Sequence, residues 1–247
     1  LDKLKPGDYV FIQFGHNDEK PHADRHTDPG STFDANLERF VNETRAKGGI
    51  PVLFNSVARR CFYQAPVEND DDEKLRKTTF AGEEKINSNT LIDTHGAYVV
   101  APRNVARRLN VSFVDATKIT HDIETELGIE GSRKLHMWFR PGECSQIPKG
   151  RQDNTHYNVY GARLVANALA DEIGKQVPEL KKHVRHYDYV VSTRGRGNYF
   201  TLQDAVDAVP AGKRVKVLVL DGSWKKPENM KGKKIKFILQ FGAKITD

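Results

Sequence analysis

The feature that most constrains this chain is a pair of short apolar runs, Tyr9 to Phe14 and Ile50 to Phe54, separated by one amphipathic stretch. Each run is bounded by glycine, with Pro6-Gly7 and Gly15 around the first and Gly48-Gly49 before the second. Short apolar runs bounded in this way read as buried strands. Between them, Ser31-Thr32-Phe33-Asp34 supplies a capping-box-like start with Ser31 at the cap, and Phe33, Leu37, Phe40 and Val41 recur at helical spacing. Strand, helix and strand in close succession form a βαβ unit, for which a right-handed crossover onto a parallel sheet is expected.

The alternation continues. Asn104 to Leu109 reads as helix, Val111 to Asp115 as a third strand and Ile119 to Leu127 as another helix. From Tyr160 to Ile173, the residues Ala162, Val165, Leu169 and Ile173 line one helical face. The polar segments Asn17 to Gly30 and Glu68 to Lys77 read as loops, the first long enough to be functional. Alternating strands and helices predict an open, three-layer α/β sandwich. A linker is expected near His183 to Tyr187, dividing the chain into residues 1–183 and 187–247. The second part carries strands at Tyr189 to Val191, Val215 to Leu220 and Ile235 to Leu239, with a short helix at Thr201 to Val209. Sixty residues make a small core, marginal if left alone.

Of the 247 residues, 38% are hydrophobic and 29% charged, which fits an ordinary folded protein and excludes disorder as the default. The formal charge of +6, with Lys225-Lys226, Lys231, Lys233-Lys234 and Lys236 close together, suits a polyanion, although a merely solvated basic face fits as well. No run approaches the roughly 18 apolar residues of a membrane span. Cys61 and Cys144 are the only cysteines, and neither they nor the nine histidines show metal-ligand spacing. No metal and no cofactor is expected. Leu1 to Asp8 has neither an initiator methionine nor a signal segment and reads as the interior of a longer protein.

Two short motifs carry chemistry. In Asp153-Asn154-Thr155-His156 the spacing lets the carboxylate reach one imidazole nitrogen across a tight turn, which fixes the tautomer and leaves the other nitrogen free as a base. Alone, this pattern reads equally as a capping Asp beside a surface His. Gly15-His16-Asn17-Asp18 follows the first strand, at the carboxyl end where an open α/β sheet places its crevice. There the Asn17 amide is a neutral donor suited to an oxyanion, and Gly15 permits close backbone approach. The plain alternative is a turn built from good turn formers.

Together, the two motifs resemble the Gly-x-Asn-Asp and Asp-x-x-His blocks of the SGNH or GDSL hydrolase superfamily. The likeness to rhamnogalacturonan acetylesterase-like members rests on Phe14 to Asp18, on Gly49 to Leu53 before Arg59-Arg60, and on His156-Tyr157-Asn158 leading into Gly161-Ala162. It spans about residues 1 to 180. It implies a flavodoxin-like sandwich in which His156 is the general base, Asp153 its orienting carboxylate, and Asn17 with Gly15 the oxyanion site. The family's nucleophile lies in a Gly-Asp-Ser block that precedes these motifs. Ser31, Ser56 and Ser112 are better explained as a helix cap, a strand-end residue and a strand residue, and Ser223 of Asp221-Gly222-Ser223 as a turn residue. The sandwich is therefore expected to be N-terminally incomplete, with an exposed apolar edge at the first strand, poor solubility and very low esterase activity for residues 1–247 alone.

The second part, from Tyr189-Val190-Val191 through Asn198 to Pro210 and on to Trp224, is similar to the opening of pectin methylesterases. That resemblance implies the first coil of a right-handed parallel β-helix, with the catalytic residues beyond residue 247. Joined, the two resemblances imply part of a bifunctional pectin-degrading esterase, secreted or periplasmic, acting on an acidic plant polysaccharide. A non-catalytic acidic-polysaccharide-binding protein is the rival. Nucleic acid is a weaker partner because no aromatic and basic platform accompanies the lysines.

Overall fold

The computed structural model describes residues 2–64, 76–77 (as backbone only), 79–220 and 222–247. Most of the expected loop Glu68 to Lys77 lies outside these residues, as does Asp221. The chain divides into two compact units, one of Leu1–Asn158 with Leu164–Lys182, the other of Val159–Arg163 with His183–Asp247.

The first unit holds strands β1 (Tyr9–Gln13), β2 (Ile50–Phe54), β3 (Arg76–Lys77), β4 (Ser112–Val114), β5 (His136–Phe139) and β6 (Arg151–Tyr157). Its helices are α1 (Thr32–Ala46), α2 (Ala97–Arg108), α3 (Ala116–Arg133) and most of α4 (Val159–Gln176). The strands β1, β2 and β4 form a parallel sheet in the order β1-β2-β4. Because side chains alternate across a strand, Ile12 and Leu53 face α1 and α2 and pack on Phe33, Leu37, Val41, Tyr98 and Val105. Val52, Phe54 and Val114 face the other way, toward Ile119, Leu169, Ile173 and Val177. Helices thus cover both faces, giving the three-layer α/β arrangement.

Several expectations change in detail. The strand at Tyr9 ends the order β1-β2-β4, as expected of an apolar edge, and is less buried than its apolar run suggests: only Ile12 is buried and Phe11 is half exposed. Ser31 stands at the cap of α1 without a side-chain capping bond; its hydroxyl donates to the Asp28 carbonyl, while the Asp34 carboxylate accepts from the Gly30 N–H at 2.9 Å. Helix α2 begins at Ala97, seven residues before the expected start, because the helix accommodates Pro102, which usually breaks one. Helix α3 is capped by Asp115, whose carboxylate accepts from the Lys118 N–H, and bends at Gly128, where φ is +66°. On α4 Val165 is buried but Ala162 is exposed.

A second sheet, unforeseen in the sequence, orders β3-β6-β5 with antiparallel pairing throughout. Asp153 to His156 therefore lie on a strand rather than in a turn, and that strand ends two residues before α4 begins at Val159.

In the second unit, β7 (Tyr189–Val191), β8 (Arg214–Leu220) and β10 (Lys234–Gln240) pair in parallel in the order β10-β8-β7, and β9 (Ser223–Lys225) pairs in parallel with β11 (Lys244–Thr246). Lys234 stands opposite Arg214 and Lys244 opposite Ser223, so these two pairings join residues about twenty apart in the chain, whereas on β7 Tyr189 stands opposite the more distant Val217. Ser223, expected in a turn, opens β9. The short helix α5 (Leu202–Asp207), capped by the Thr201 hydroxyl, packs Leu202 and Ala205 against Val191, Val217, Val219 and Trp224.

Leu53 is fully buried on the central strand of the first sheet. Replacing it by Ala is expected to cost about 2–5 kcal/mol through lost burial and a residual cavity. Urea denaturation of the variant at neutral pH measures the loss.

Candidate active site

The strand β6 owes its usefulness to a break in its ladder. Tyr157 pairs with His136 and Asp153 with Met137, so residues 154–156 have no counterparts on β5. An insertion of this kind bulges the strand and redirects its side chains. Within the bulge, Asp153 folds back on the following residues: its Oδ1 accepts from the N–H groups of Thr155 at 3.0 Å and His156 at 2.9 Å. The His156 Nδ1 lies 3.0 Å from Oδ2 and 3.2 Å from Oδ1. Asp153 is fully buried, whereas the His156 side chain is 49% exposed. The contact fits an imidazole with Nδ1 as donor and leaves the Nε2 outside this bond. Beneath it, the His136 Nε2 meets the Glu124 Oε1 at 3.0 Å and the Tyr157 hydroxyl donates to the same oxygen at 3.2 Å. The His136 and Tyr157 rings stack 4.7 Å apart. Burial, then the Glu124 charge, pushes the Tyr157 phenol well above its ordinary pKa, so it stays a donor.

At the carboxyl end of β1, Gly15 adopts φ +122°, and a Cβ there would stand 2.9 Å from the Ser56 Oγ. Only glycine fits without strain. The Gly15 N–H donates to the Asp18 Oδ2 at 2.9 Å, and the Thr27 hydroxyl to the Asp18 Oδ1 at 3.1 Å. Gly15 therefore supplies room and not a donor, since its N–H is already committed. Asn17 is exposed, and its amide makes no hydrogen bond among the described residues.

Two consecutive buried arginines tie these loops together. The Arg59 guanidinium pairs with Glu19 and donates to the His16 carbonyl at 3.4 Å and to the Thr94 hydroxyl at 3.0 Å. Arg60 pairs with Glu84, donates to the Asn154 Oδ1 at 2.8 Å and the Ile129 carbonyl at 2.8 Å, and its own N–H reaches the Asn154 carbonyl at 2.9 Å. Asn154 in turn donates to Glu84 at 2.7 Å and accepts from the Trp138 Nε1 at 3.0 Å. Adjacent Cα atoms thus anchor the loop carrying Asn17 and the bulge carrying His156. Burial raises the Glu84 carboxyl, but hydrogen bonds and charge from Arg60, with Asn154 and Arg133, outweigh it and hold the pKa below the ordinary value.

The loop of Asn17 has a further anchor, since the His16 Nδ1 lies 3.1 Å from the His95 Nε2. Burial, with the charges of Arg59 and His16 outweighing the help of Asp93, drops the His95 pKa to about 4. His95 is accordingly neutral at neutral pH where it meets His16.

The site expectations can now be placed. Asp153 and His156 are in contact, and Asn17 and Gly15 share a loop fastened to the same arginine pair. No serine hydroxyl bonds to His156 among the described residues: Ser56 donates to the Phe14 carbonyl, Ser112 to the Gln176 carbonyl, and Ser132 accepts from Arg60. Sequence reasoning quoted Arg59-Arg60 but gave it no role. The available signal was a charged pair inside the apolar run Val57-Ala58 and Cys61-Phe62. Glu84 and His95 gave none. Cys61 and Cys144 are not joined in a disulfide, and no group of three His, Cys, Asp or Glu side chains among the described residues is placed to hold a metal.

Two outcomes follow from the clamps. Arg60→Met is expected to cost about 1–3 kcal/mol in chemical denaturation, because it takes one of its two guanidinium partners from Glu84, which keeps Arg133, and a donor from the Asn154 Oδ1 and the Ile129 carbonyl. The unfolded chain protonates His95 near pH 6.5 and the folded chain near 4. Its contribution to stability is thus fully present above 6.5 and lost as pH falls toward 4, and His95→Gln should flatten the stability curve in that window.

A family description, GDSL-like Lipase/Acylhydrolase, matches residues 2–169. Rhamnogalacturonan acetylesterase RhgT of Bacillus subtilis strain 168 is 34% identical over 183 residues, covering 74% of this chain and 68% of RhgT. The probable rhamnogalacturonan acetylesterase YesY of the same strain is 28% identical over 181 residues, covering 73% and 66%. The solved structure of protein YXIM from Bacillus subtilis aligns at a TM-score of 0.47 and 19% identity, over 71% of this chain and 39% of that one. The chain spans about two thirds of the length of the curated relatives it matches. With more than half its length matched and a bonded Asp153–His156 pair in place, the chain belongs to the GDSL-like lipase/acylhydrolase family.

Proposed function

We propose that the chain serves a serine-type ester hydrolase that removes acetyl groups from rhamnogalacturonan or a related pectic polysaccharide. The observation that carries this reading is the His156 imidazole, half exposed and held through Nδ1 by a buried carboxylate, in a family of acylhydrolases. In such a reaction the His156 Nε2 takes the proton of a hydroxyl as its oxygen attacks the ester carbonyl, and then returns that proton to the leaving sugar oxygen. Water, deprotonated by the same nitrogen, releases acetate from the acyl-enzyme. Asp153 stabilises the imidazolium that forms in each half, and the exposed Asn17 amide, without a hydrogen bond of its own among the described residues, supports its reading as the oxyanion donor.

The names of RhgT and YesY support the substrate class. So does the second unit, where Arg214 and Lys216 stand in register with Lys234 and Lys236. All four are exposed and have no ion-pair partner among the described residues. Like charges side by side on a sheet are destabilising unless an anion lies over them. A polymeric substrate of this kind also implies a secreted or periplasmic protein. The spacing of about twenty residues between the partners on β8 and β10 and on β9 and β11 supports reading the second unit as the opening of a parallel β-helix. Its likeness to pectin methylesterases rests on sequence alone, because the family match ends at residue 169.

A second reading, binding of an acidic polysaccharide without chemistry, is favoured by the lack of a serine on His156 among the described residues. One experiment separates the two. The intact protein and its His156→Ala variant are assayed for acetate release from acetylated rhamnogalacturonan and labelled with a fluorophosphonate, with the modified serine mapped by mass spectrometry. Catalysis predicts one labelled serine, lost with His156, and a fall in turnover of about 10³-fold or more. Equal release by both proteins overturns the assignment, and retention on the polysaccharide without release or labelling supports the binding reading.

A further inference from the structure

The Asp153 carboxylate carries one ligand that the triad chemistry does not require. The Arg151 Nη2 donates to the Asp153 Oδ2 at 2.6 Å, the same oxygen that faces the His156 Nδ1 at 3.0 Å. Residues two apart on a strand share a face, which is how β6 brings the two together. Asp153 is fully buried and the Arg151 side chain only 26% exposed, so little water screens the pair. The Arg151 Nε is buried without a hydrogen-bond partner, which leaves Asp153 as the group that fixes the guanidinium. Hydrogen-bond satisfaction alone does not call for it, because the N–H groups of Thr155 and His156 and the imidazole already supply three donors.

We propose that Arg151 is a charge-balancing, positioning residue: by sharing the Asp153 Oδ2 with the imidazole it limits how far that carboxylate stabilises the protonated form of His156. An uncompensated carboxylate against an imidazole favours the imidazolium and raises its pKa by about 1–3 units. A guanidinium on the same carboxylate cancels most of that pull while leaving the orienting hydrogen bond intact. Among the described side chains, two further groups of charges near the bulge are each paired. From β5, His136 is bound to Glu124, which also holds Tyr157; from the segment after β2, Arg60 is bound to Glu84, which also holds Arg133. From β3, Arg76 and Lys77 pair with Asp153 and Gln152 through their backbones.

This inference rests on His156 acting as the base, but its measurement needs no turnover. The His156 ring is titrated by NMR in the 247-residue chain and in Arg151→Gln, with the resonance assigned from His156→Gln. The pKa is expected to rise by about one unit in Arg151→Gln and to return to within a few tenths in Arg151→Lys. An unchanged pKa in a folded Arg151→Gln protein overturns the proposal. If that variant does not fold, Asp153→Asn is compared with Asp153→Asn/Arg151→Gln, where no carboxylate is left unpaired. The double variant should titrate about one unit above the single one, and equal values overturn the proposal. A failed deacetylation assay leaves this titration standing, whereas active enzyme with an unmoved titration defeats the charge-balancing role alone.

Discussion

Two buried guanidinium groups hold the candidate site in register. Placing Arg59 and Arg60 out of water costs several kcal/mol each unless carboxylates and carbonyls surround them, and Glu19 and Glu84 provide that compensation. The arrangement inherits its precision from the core. β2 is the central strand, Val52, Leu53 and Phe54 are buried, and the Asn55 amide that follows binds the Asp115 carboxylate at 2.8 Å and the Val99 carbonyl at 3.3 Å. The segment leading to the arginines therefore starts from a fixed point, and what the arginines grasp is fixed in turn. Since they are neighbours in the chain, displacing one moves the other, and the Asn17 loop and the His156 bulge shift as a pair.

How much of this was legible follows from the range of the forces involved. The βαβ order and both faces of the first sheet were readable because apolar periodicity is local and strong: Phe33, Leu37 and Val41 sit where their spacing puts them. The sheet of β3, β5 and β6 was not. Arg151 to Tyr157 is polar throughout, and its pairing with His136 to Phe139 comes from partners with no apolar alternation to announce them. The contact of Asp153 with His156 was readable from a three-residue spacing. The partners of Arg60 were not, since Glu84 and Asn154 stand 24 and 94 residues away. Gly15 shows the remaining kind of miss. Its need for a positive φ was foreseeable, but the capture of its N–H by Asp18 depended on how the loop closed.

The charge of the chain also reads differently once its partners are known. In the first unit Arg59, Arg60, Arg103, Arg108 and Arg133 are all tied to carboxylates, so these cations act on the fold more than on the surroundings. On β8 and β10 the strand alternation turns Val215, Val217, Ile235 and Phe237 inward and leaves Arg214, Lys216, Lys234 and Lys236 outside. A single net charge thus covers two separate uses, internal scaffolding and external field.

The spacing of the strand partners bears on how the two units form. In the first sheet Tyr9 meets Ile50 and Val52 meets Ser112, whereas in the second unit Arg214 meets Lys234. Closing a loop three times longer costs roughly 1 kcal/mol more in chain entropy before any contact repays it. The second unit is accordingly of lower contact order, a property that favours rapid zippering from one pair of strands to the next. The sandwich must instead wait for distant strands to meet, and the arginine clamps can form only after β2 has found its neighbours. Acquisition of a working geometry around His156 is then a late event in folding, even though the residues that define it are few.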